Sequence, residues 1–194
     1  LGERECSVQR RYQKVVEIAP APNLDDSLRR QIIAAAVRFA KSVDYSSLGT
    51  FEFLVDATGR ADAQPFVFIE ANARLQVEHT VTEQVTGVDI VQSQLRLASG
   101  ESLADLGLDD ERMAEPRGYA IQCRVNMETL KPDGSVRPGG GTLSVYEAPS
   151  GPGVRVDGFG YAGYKTSTAF DSLLAKVICH TPSRRFADAI ARTS

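Results

Sequence analysis

Two apolar runs in the first half of the chain predict a β-hairpin. Residues 49–55 are largely apolar apart from Glu52, and residues 66–69 are apolar and lead directly into Glu70. The segment between the two runs is polar and rich in turn-forming residues, which is typical of an antiparallel hairpin. With the turn centred near Ala61, we expect Glu52 to lie directly opposite Glu70.

Polar side chains then recur at every second position after the second run. They are Glu70, Asn72, Arg74, Gln76 and Glu78. Because alternate side chains of an extended strand share a face, this pattern predicts one polar row beyond a buried segment. Charged groups in such a place require partners, and the usual partners are metal ions, anions or substrate.

The two opposed carboxylates are the strongest candidates for metal ligands. Glu52 and Glu70 would repel each other unless a cation lies between them. Hard oxygen ligands on paired strands suit Mg²⁺, which completes its coordination with water and substrate phosphates. The alternative interpretation is that they are unrelated carboxylates at a sheet edge and face water.

The end of the polar row has two interpretations of equal weight. Glu78, next to His79, can act as a general base if its surroundings favour proton uptake. It can equally be the acidic residue at the start of the following helix, where it interacts with the helix dipole. For Arg74, a salt bridge to Glu52 or Glu78 is the alternative to a binding role.

The remaining periodicity predicts helices in the first part of the chain and short strands in the second. The predicted helices are 24–43 with Asn23 as N-cap, 80–86 ended by Gly87, 90–99 with Asp89 as N-cap, and 184–191 with Ser183 as N-cap. The predicted strands outside the hairpin are 14–17, 119–126, 142–146, 154–157 and 173–179, with a loop at 134–141. This order indicates an α+β fold. The charged segment 101–117 is the predicted connection between a domain at 1–117 and a β-rich domain at 118–194.

Composition narrows the class of protein. The 194 residues are 42% hydrophobic and 24% charged with a net charge of −3, which is typical of a globular protein and offers no electrostatic case for binding nucleic acid or an anionic membrane. No segment is apolar enough to span a bilayer. Three separated cysteines argue against a disulfide framework. The chain starts without Met and ends inside a predicted helix, so we expect a piece of a longer polypeptide.

With these residues in view, the sequence resembles the biotin carboxylase component of biotin-dependent carboxylases such as acyl-CoA or pyruvate carboxylase. The resemblance runs nearly from end to end. It is carried by Cys6-Ser-Val-Gln-Arg-Arg11 with Gln13-Lys14, Ala19-Pro-Ala-Pro22, Gly49-Thr-Phe-Glu-Phe53, Phe68-Ile-Glu-Ala-Asn-Ala-Arg-Leu-Gln-Val-Glu-His79, Thr86-Gly-Val-Asp89, Cys123-Arg-Val-Asn126, Tyr161-Ala-Gly-Tyr164 and Asp171-Ser172.

The resemblance implies the C-terminal lobe of an ATP-grasp domain, followed by an incomplete biotin carboxylase C-terminal domain. The implied enzyme is an ATP-dependent ligase that activates bicarbonate as carboxyphosphate and carboxylates carrier-bound biotin. Its implied cofactors are ATP, Mg²⁺ (or Mn²⁺) and biotin. Its implied partners are a biotin carboxyl carrier domain, a carboxyltransferase, the missing N-terminal half and a second copy in a homo-oligomer. The implied location is the cytoplasm, or the mitochondrial matrix in a eukaryote, and we expect the fragment alone to be inactive.

The resemblance also implies roles for individual residues. Glu52, Glu70 and Asn72 would bind the metal, and Lys14, Arg74, Gln76 and the backbone of Val77 would hold bicarbonate. Glu78 would take the bicarbonate proton, and Arg124 would stabilise the biotin anion. Gln9 and Tyr12 would lie near the nucleotide, although Tyr12 stands where the family more often has His.

Two other functions remain open at this point. A carbamoyl-phosphate-synthase-like ATP-grasp ligase also makes carboxyphosphate, but a biotin-facing Arg124 has no role in it. A non-catalytic dimerisation module is the second alternative, because Arg155 falls at a position that resembles an interface residue of the family.

Overall fold

The computed structural model describes residues 1–58, 64–109 and 115–194, and it contains twelve strands and four helices in those ranges. The strands are β1 (Gln9–Arg10), β2 (Gln13–Lys14), β3 (Val16–Ala19), β4 (Thr50–Val55), β5 (Phe66–Asn72), β6 (Tyr119–Asn126), β7 (Glu128–Leu130), β8 (Val136–Pro138), β9 (Gly141–Thr142), β10 (Val154–Gly158), β11 (Lys165–Thr166) and β12 (Leu173–Thr181). The helices are α1 (Asp26–Ser42), α2 (His79–Thr86), α3 (Ile90–Ala98) and α4 (Phe186–Thr193).

These elements form two compact units, and each draws on separated stretches of sequence. The first unit contains residues 1–5 and 19–117, and the second contains residues 6–18 and 118–194. Helices and antiparallel strand pairs occur in both, so the α+β class predicted from the sequence is confirmed. Within the described ranges, no helix is both long and apolar enough to cross a membrane.

The hairpin of the first unit has the predicted register. Strands β4 and β5 are antiparallel, and Glu52 lies directly opposite Glu70. The register shifts between Glu52 and Phe53, because Phe53 pairs with Phe68 and leaves Ile69 unpaired. A single extra residue of this kind is a β-bulge. The predicted centre of the turn, Ala61, lies outside the described residues.

Aromatic packing fixes the apolar face of this hairpin against α1. The ring of Phe39 on α1 stacks on Phe68 with centroids 5.1 Å apart and meets Phe51 edge-on at 5.3 Å. Phe53 makes edge-on contacts with Phe66 and Phe68. Such aromatic pairs add to the stabilisation from burial alone.

In the first unit, two of the predicted helix caps are confirmed and one is wrong. The Asp89 carboxylate accepts from the amide of Gln92 at the start of α3, and Gly87 ends α2 in the left-handed conformation. Helix α1 is capped by Asp25, whose Oδ1 accepts from the amides of Ser27 and Leu28, and not by Asn23. The sequence misplaced this cap because Asn23 and Asp25 both suit an N-cap and only the backbone geometry selects between them.

The second unit is built on a four-stranded sheet in the order β10-β12-β6-β3. Strand β12 is antiparallel to both β10 and β6. Ile18, Ile121 and Ala189 form a buried apolar cluster on this sheet, so strand β3, strand β6 and helix α4 share one core. Helix α4 begins at Phe186, and the predicted N-cap Ser183 lies outside it, with its hydroxyl 2.5 Å from Asp188.

The connections between these strands differ from the prediction. The predicted strand 142–146 is wrong beyond its first residue, because only Thr142 belongs to the two-residue strand β9, which pairs with β11. The predicted loop 134–141 contains β8, which pairs with β7. These pairs are only two or three residues long, so they show no hydrophobic periodicity that a sequence pattern can detect.

Candidate functional site

The paired strands of the first unit bring two carboxylates and one amide together. The Nδ2 of Asn72 donates to Glu70 Oε1 at 2.8 Å and to Glu52 Oε1 at 3.2 Å. One donor between two carboxylates relieves their mutual repulsion, as a cation in the same place would. The geometry therefore brings together the three residues that the sequence pointed to as metal ligands.

This oxygen set fits a hard cation with a small number of protein ligands. In the parts of the chain that the structure describes, no group of three or more His, Cys, Asp or Glu side chains could hold a metal. Two carboxylates and an amide oxygen suit Mg²⁺, because it keeps several waters and takes substrate phosphates as further ligands. A zinc site would need a closed set of nitrogen or sulfur ligands instead.

Beyond Asn72 the polar row leaves the strand, so the predicted single extended row is wrong. Strand β5 ends at Asn72, and Arg74, Gln76 and Glu78 follow in the irregular segment that leads to α2. The exposed Arg74 donates from Nη2 to Asn72 Oδ1 at 3.2 Å and from Nη1 to the carbonyl of Leu75 at 3.2 Å. A guanidinium therefore lies beside the carboxylate pair.

The amide of Gln76 is held at both ends. Its Nε2 donates to Glu52 Oε1 at 2.7 Å, and its Oε1 accepts from Arg4 Nη2 at 2.9 Å. The Arg4 guanidinium also donates to the hydroxyl groups of Thr50 and Thr82. These contacts fix the buried amide of Gln76 in one orientation and connect it to the carboxylate pair.

Glu78 is buried at the N-terminal end of α2. It occupies the cap position of the helix but makes no capping hydrogen bond with its side chain, and only 3% of the residue is exposed. Its neighbour His79 is held through Nδ1, which lies 2.8 Å from the carbonyl of Gln76. Glu78 therefore lies at the start of the helix, as the dipole interpretation expects, but its side chain makes no capping hydrogen bond. Val77 lies in the turn that leads into α2.

The second unit places Gln9 and Lys14 side by side. Strands β1 and β2 pair these two residues in an antiparallel hairpin. The hairpin loop is formed by Arg11 and Tyr12, both with positive φ, as a two-residue turn of this kind requires. Gln9 donates to the carbonyl of Cys6 at 2.9 Å. Tyr12 is 98% exposed at the tip of the turn.

Arg124 lies near the end of β6 in a buried polar group. Its Nε donates to Glu17 Oε1 at 2.6 Å and its Nη2 lies 2.5 Å from the same oxygen. Gln122 donates to the other oxygen, Glu17 Oε2, at 2.8 Å. The backbone amide of Arg124 donates to the carbonyl of Val15, one residue after Lys14.

Three of these residues were not among the predicted site residues. Arg4 and Gln122 carry no sequence signal, because an isolated polar residue in a coil or a strand is common. Glu17 has the same signal as Glu52, which is a single carboxylate in an apolar run. That signal could have marked Glu17 as a buried, paired carboxylate.

Two family profiles match the chain in succession. The carbamoyl-phosphate synthase L chain ATP binding domain matches residues 1–106, and the biotin carboxylase C-terminal domain matches residues 122–194.

Longer relatives match nearly the whole chain. The chain is 51% identical over 179 residues to pyruvate carboxylase 1 of Caenorhabditis elegans and 47% identical over 184 residues to biotin carboxylase of Nostoc sp.. It is 49% identical over 181 residues to mitochondrial pyruvate carboxylase of Homo sapiens. These matches cover 92%, 95% and 93% of the chain, but only 15%, 39% and 15% of the three relatives. The chain therefore spans less than half the length of each.

Solved structures show the same fold. A single-chain, multi-domain long-chain acyl-CoA carboxylase superposes with a TM-score of 0.90 at 48% identity, over 99% of this chain and 20% of that one. The biotin carboxylase domain dimer of Hydrogenobacter thermophilus 2-oxoglutarate carboxylase, in complex with MgADP, ADP and bicarbonate, superposes with a TM-score of 0.87 at 42% identity, over 99% and 40% of the two chains. The chain therefore belongs to the biotin carboxylase family, and it matches an ATP binding domain profile followed by the profile of the biotin carboxylase C-terminal domain.

Proposed function

We propose that the polypeptide containing this chain is an ATP-dependent biotin carboxylase. It activates bicarbonate as carboxyphosphate and carboxylates biotin carried on a separate domain. The observation that carries the proposal is the pairing of Glu52 with Glu70 under one amide donor, in a chain that superposes on a domain bound to MgADP and bicarbonate.

The carboxylate pair is proposed as the metal-binding part of the site. Glu52, Glu70 and Asn72 would hold Mg²⁺ (or Mn²⁺), with phosphate oxygens of ATP as further ligands. The bound metal ion would neutralise the charge that develops on the phosphoryl oxygens. Coordination by the Asn72 amide oxygen would remove one of the two acceptors of Arg74, whose Nη2 would then be available to an anion.

The bicarbonate site is proposed to be cationic and rigid. Arg74 and Lys14 would supply positive charge, and Gln76 with the backbone of Val77 would supply directed hydrogen bonds. The fixed amide of Gln76 supports this role, because a donor that is already oriented loses little freedom on binding. Gln9 and Tyr12 are proposed to lie near the nucleotide.

Glu78 and Arg124 are proposed to act on the reacting groups. The Glu78 carboxylate would take the proton of bicarbonate so that a bicarbonate oxygen can attack the γ-phosphate of ATP, with ADP as the leaving group. Burial of Glu78 keeps this proton transfer away from bulk water. Arg124 would stabilise the anion that forms when biotin loses its N1 proton.

The partners and the location are proposed by analogy with the relatives, because no contact in the described parts of this chain bears on them. A biotin carboxyl carrier domain and a carboxyltransferase are proposed as partners, since a multi-domain acyl-CoA carboxylase and pyruvate carboxylases are among the similar proteins. A homo-oligomer is proposed as the assembly. The boundary between the two domains near residue 117 stays a prediction. The proposed location is the cytoplasm, or the mitochondrial matrix in a eukaryote, since the human relative is a mitochondrial pyruvate carboxylase.

The carbamoyl-phosphate-synthase-like alternative has one supporting observation, the name of the profile that matches residues 1–106. The two functions differ in their acceptor. Free biotin would stimulate ATP cleavage by a biotin carboxylase, and ammonia would stimulate it in the alternative. Stimulation by ammonia alone would favour the alternative.

The test is Glu78→Gln in the full-length polypeptide. We expect bicarbonate-dependent ATP cleavage to fall by about 10²- to 10⁴-fold, because the variant cannot accept a proton. Glu101→Gln is the matched control, since Glu101 pairs with Arg96 at the surface of the same unit, and we expect it to change the rate by less than about twofold. A folded Glu78→Gln variant with the wild-type rate would refute the role of Glu78 and favour the non-catalytic module.

A further inference from the structure

We propose that Glu17 is a positioning residue that fixes the guanidinium of Arg124 in the orientation needed for biotin carboxylation. The proposal rests on the proposed function, which assigns Arg124 to the biotin anion. It concerns a buried carboxylate that the proposed reaction does not otherwise use.

The contacts of Glu17 make it the fixed point of a small buried network. The residue has no exposed surface, and both of its carboxylate oxygens are occupied. One accepts from Arg124 and the other accepts from the fully buried Gln122. A carboxylate held from both sides cannot rotate without leaving a buried partner unsatisfied, which costs more than the bond itself contributes.

The neighbouring strand shows why Arg124 needs such an anchor. Lys176 on β12 lies directly opposite Arg124 on β6, and its side chain is also largely buried. Like charges in directly opposed positions repel each other. Glu17 on one side and Asp157 on the other, 3.6 Å from Lys176 Nζ, balance the two cations. The guanidinium is therefore drawn toward Glu17 and away from Lys176.

Backbone geometry fixes the rest of the arrangement. The carbonyl of Val15 accepts from the amide of Arg124, and Glu17 lies two residues farther along the same segment. The segment 14–17 thus carries Lys14 and contacts Arg124 at two points. The carbonyl of Val15 accepts from the Arg124 amide, and the Glu17 carboxylate accepts from its guanidinium. Stabilisation of a developing anion depends on donors that are oriented before the reaction begins, and Glu17 provides that orientation for Arg124.

The experiment is a double-mutant cycle in the full-length polypeptide with Glu17→Gln and Arg124→Met. Two rates are measured on each variant: carboxylation of free biotin, and bicarbonate-dependent ATP cleavage without biotin. We expect Glu17→Gln to lower biotin carboxylation by about 10- to 100-fold, by analogy with the loss on removing the residues that orient metal ligands. We expect ATP cleavage without biotin to stay within about threefold, and the double variant to be no slower than Arg124→Met alone, since residues that act as a unit are not additive.

The controls separate this role from a structural one. Glu3→Gln removes a carboxylate that also receives an arginine Nε at 2.8 Å, from Arg29, and we expect it to leave both rates unchanged. Glu17→Asp keeps the charge one methylene farther from Arg124 and should show a smaller loss in the same rate. The proposal would be overturned by any of three results: equal losses in the two rates, additive effects in the double variant, or failure of both Glu17 variants to fold. If the wild type itself shows neither rate, the proposed function fails instead.

Discussion

At the scale of single residues, the side chains that meet in the first unit are organised by a few fixed hydrogen bonds. Arg4 contacts Gln76, Gln76 contacts Glu52, and Asn72 contacts both carboxylates of the pair. The carboxylate pair could be predicted from the sequence because each acid interrupts an apolar run. Arg4 could not, since it lies 72 residues from Gln76 and no periodicity relates the two.

The pH dependence of stability can be predicted for Asp157. Partial burial would raise the pKa of its carboxyl group, but the hydrogen bonds and charge of Arg155, with the charge of Lys176, outweigh burial and hold the pKa below its ordinary value of 3.8. A lowered pKa contributes stability that is present above the unfolded value and lost as the pH falls through the folded value. We therefore expect Asp157→Asn to destabilise the protein at pH 7 and to lose this effect progressively below about pH 4.

The measurement is urea unfolding of the wild type and Asp157→Asn between pH 7 and pH 3. The difference in unfolding free energy between the two should shrink as the pH falls. A difference that stays constant across this range would show that the ion pairs of Asp157 do not contribute through charge.

At the scale of elements, the long strands and the caps of α2 and α3 follow from local patterns, whereas the short pairs do not. The strands β6 and β12 are eight and nine residues long, and each contains an apolar run that is long enough to be predicted. The turn of Arg11 and Tyr12 requires two residues in the left-handed conformation. Such turns usually contain Gly or Asn, and neither is present here, so the sequence gives no turn signal.

The start of β6 depends on the absence of a side chain at Gly118. This residue has φ +71°, and a Cβ there would lie 1.9 Å from the carbonyl oxygen of Thr181 at the end of β12. Because that contact is with backbone, it cannot relax without displacing a strand. We expect Gly118→Ala to destabilise the protein by more than about 3 kcal/mol, the sum of left-handed strain and overpacking.

Gly134→Ala is the matched control for this prediction. Gly134 has φ +75°, but a Cβ added there would have no neighbouring atom within 4 Å, so this variant isolates the conformational strain. We expect a loss of about 1 to 2 kcal/mol for it in chemical denaturation. Equal losses for the two alanine variants would show that the close approach at Gly118 is not limiting.

At the scale of the whole molecule, the two compact units of the structure are not two consecutive halves of the sequence. Residues 6–18 belong with residues 118–194 in the second unit, although about a hundred positions separate the two stretches in the chain. The sequence predicted the change in character after residue 117, but it could not show that an earlier strand, β3, joins the later sheet. Only the pairing of β3 with β6 reveals this.

The isolated chain is expected to lack activity. It spans 39% of the biotin carboxylase of Nostoc sp. and 15% of two pyruvate carboxylases. Phosphoryl transfer requires the whole nucleotide site to be positioned at once. We expect the purified 194-residue chain to show no bicarbonate-dependent ATP cleavage, measured as ADP release, while the full-length polypeptide shows it. Turnover by the isolated chain would contradict this expectation.

The β-bulge at Ile69 affects which substitutions in the hairpin the fold can accept. If Ile69 were paired like its neighbours, strict alternation would place Phe68 on the same side of the strand as Glu70. One extra residue shifts the phase of the strand, so the aromatic rings stay on the side of α1 and the acids point the other way. The proposed metal ligands and the aromatic core therefore lie on opposite faces of the hairpin, so we expect the fold to tolerate substitutions of Glu52 and Glu70.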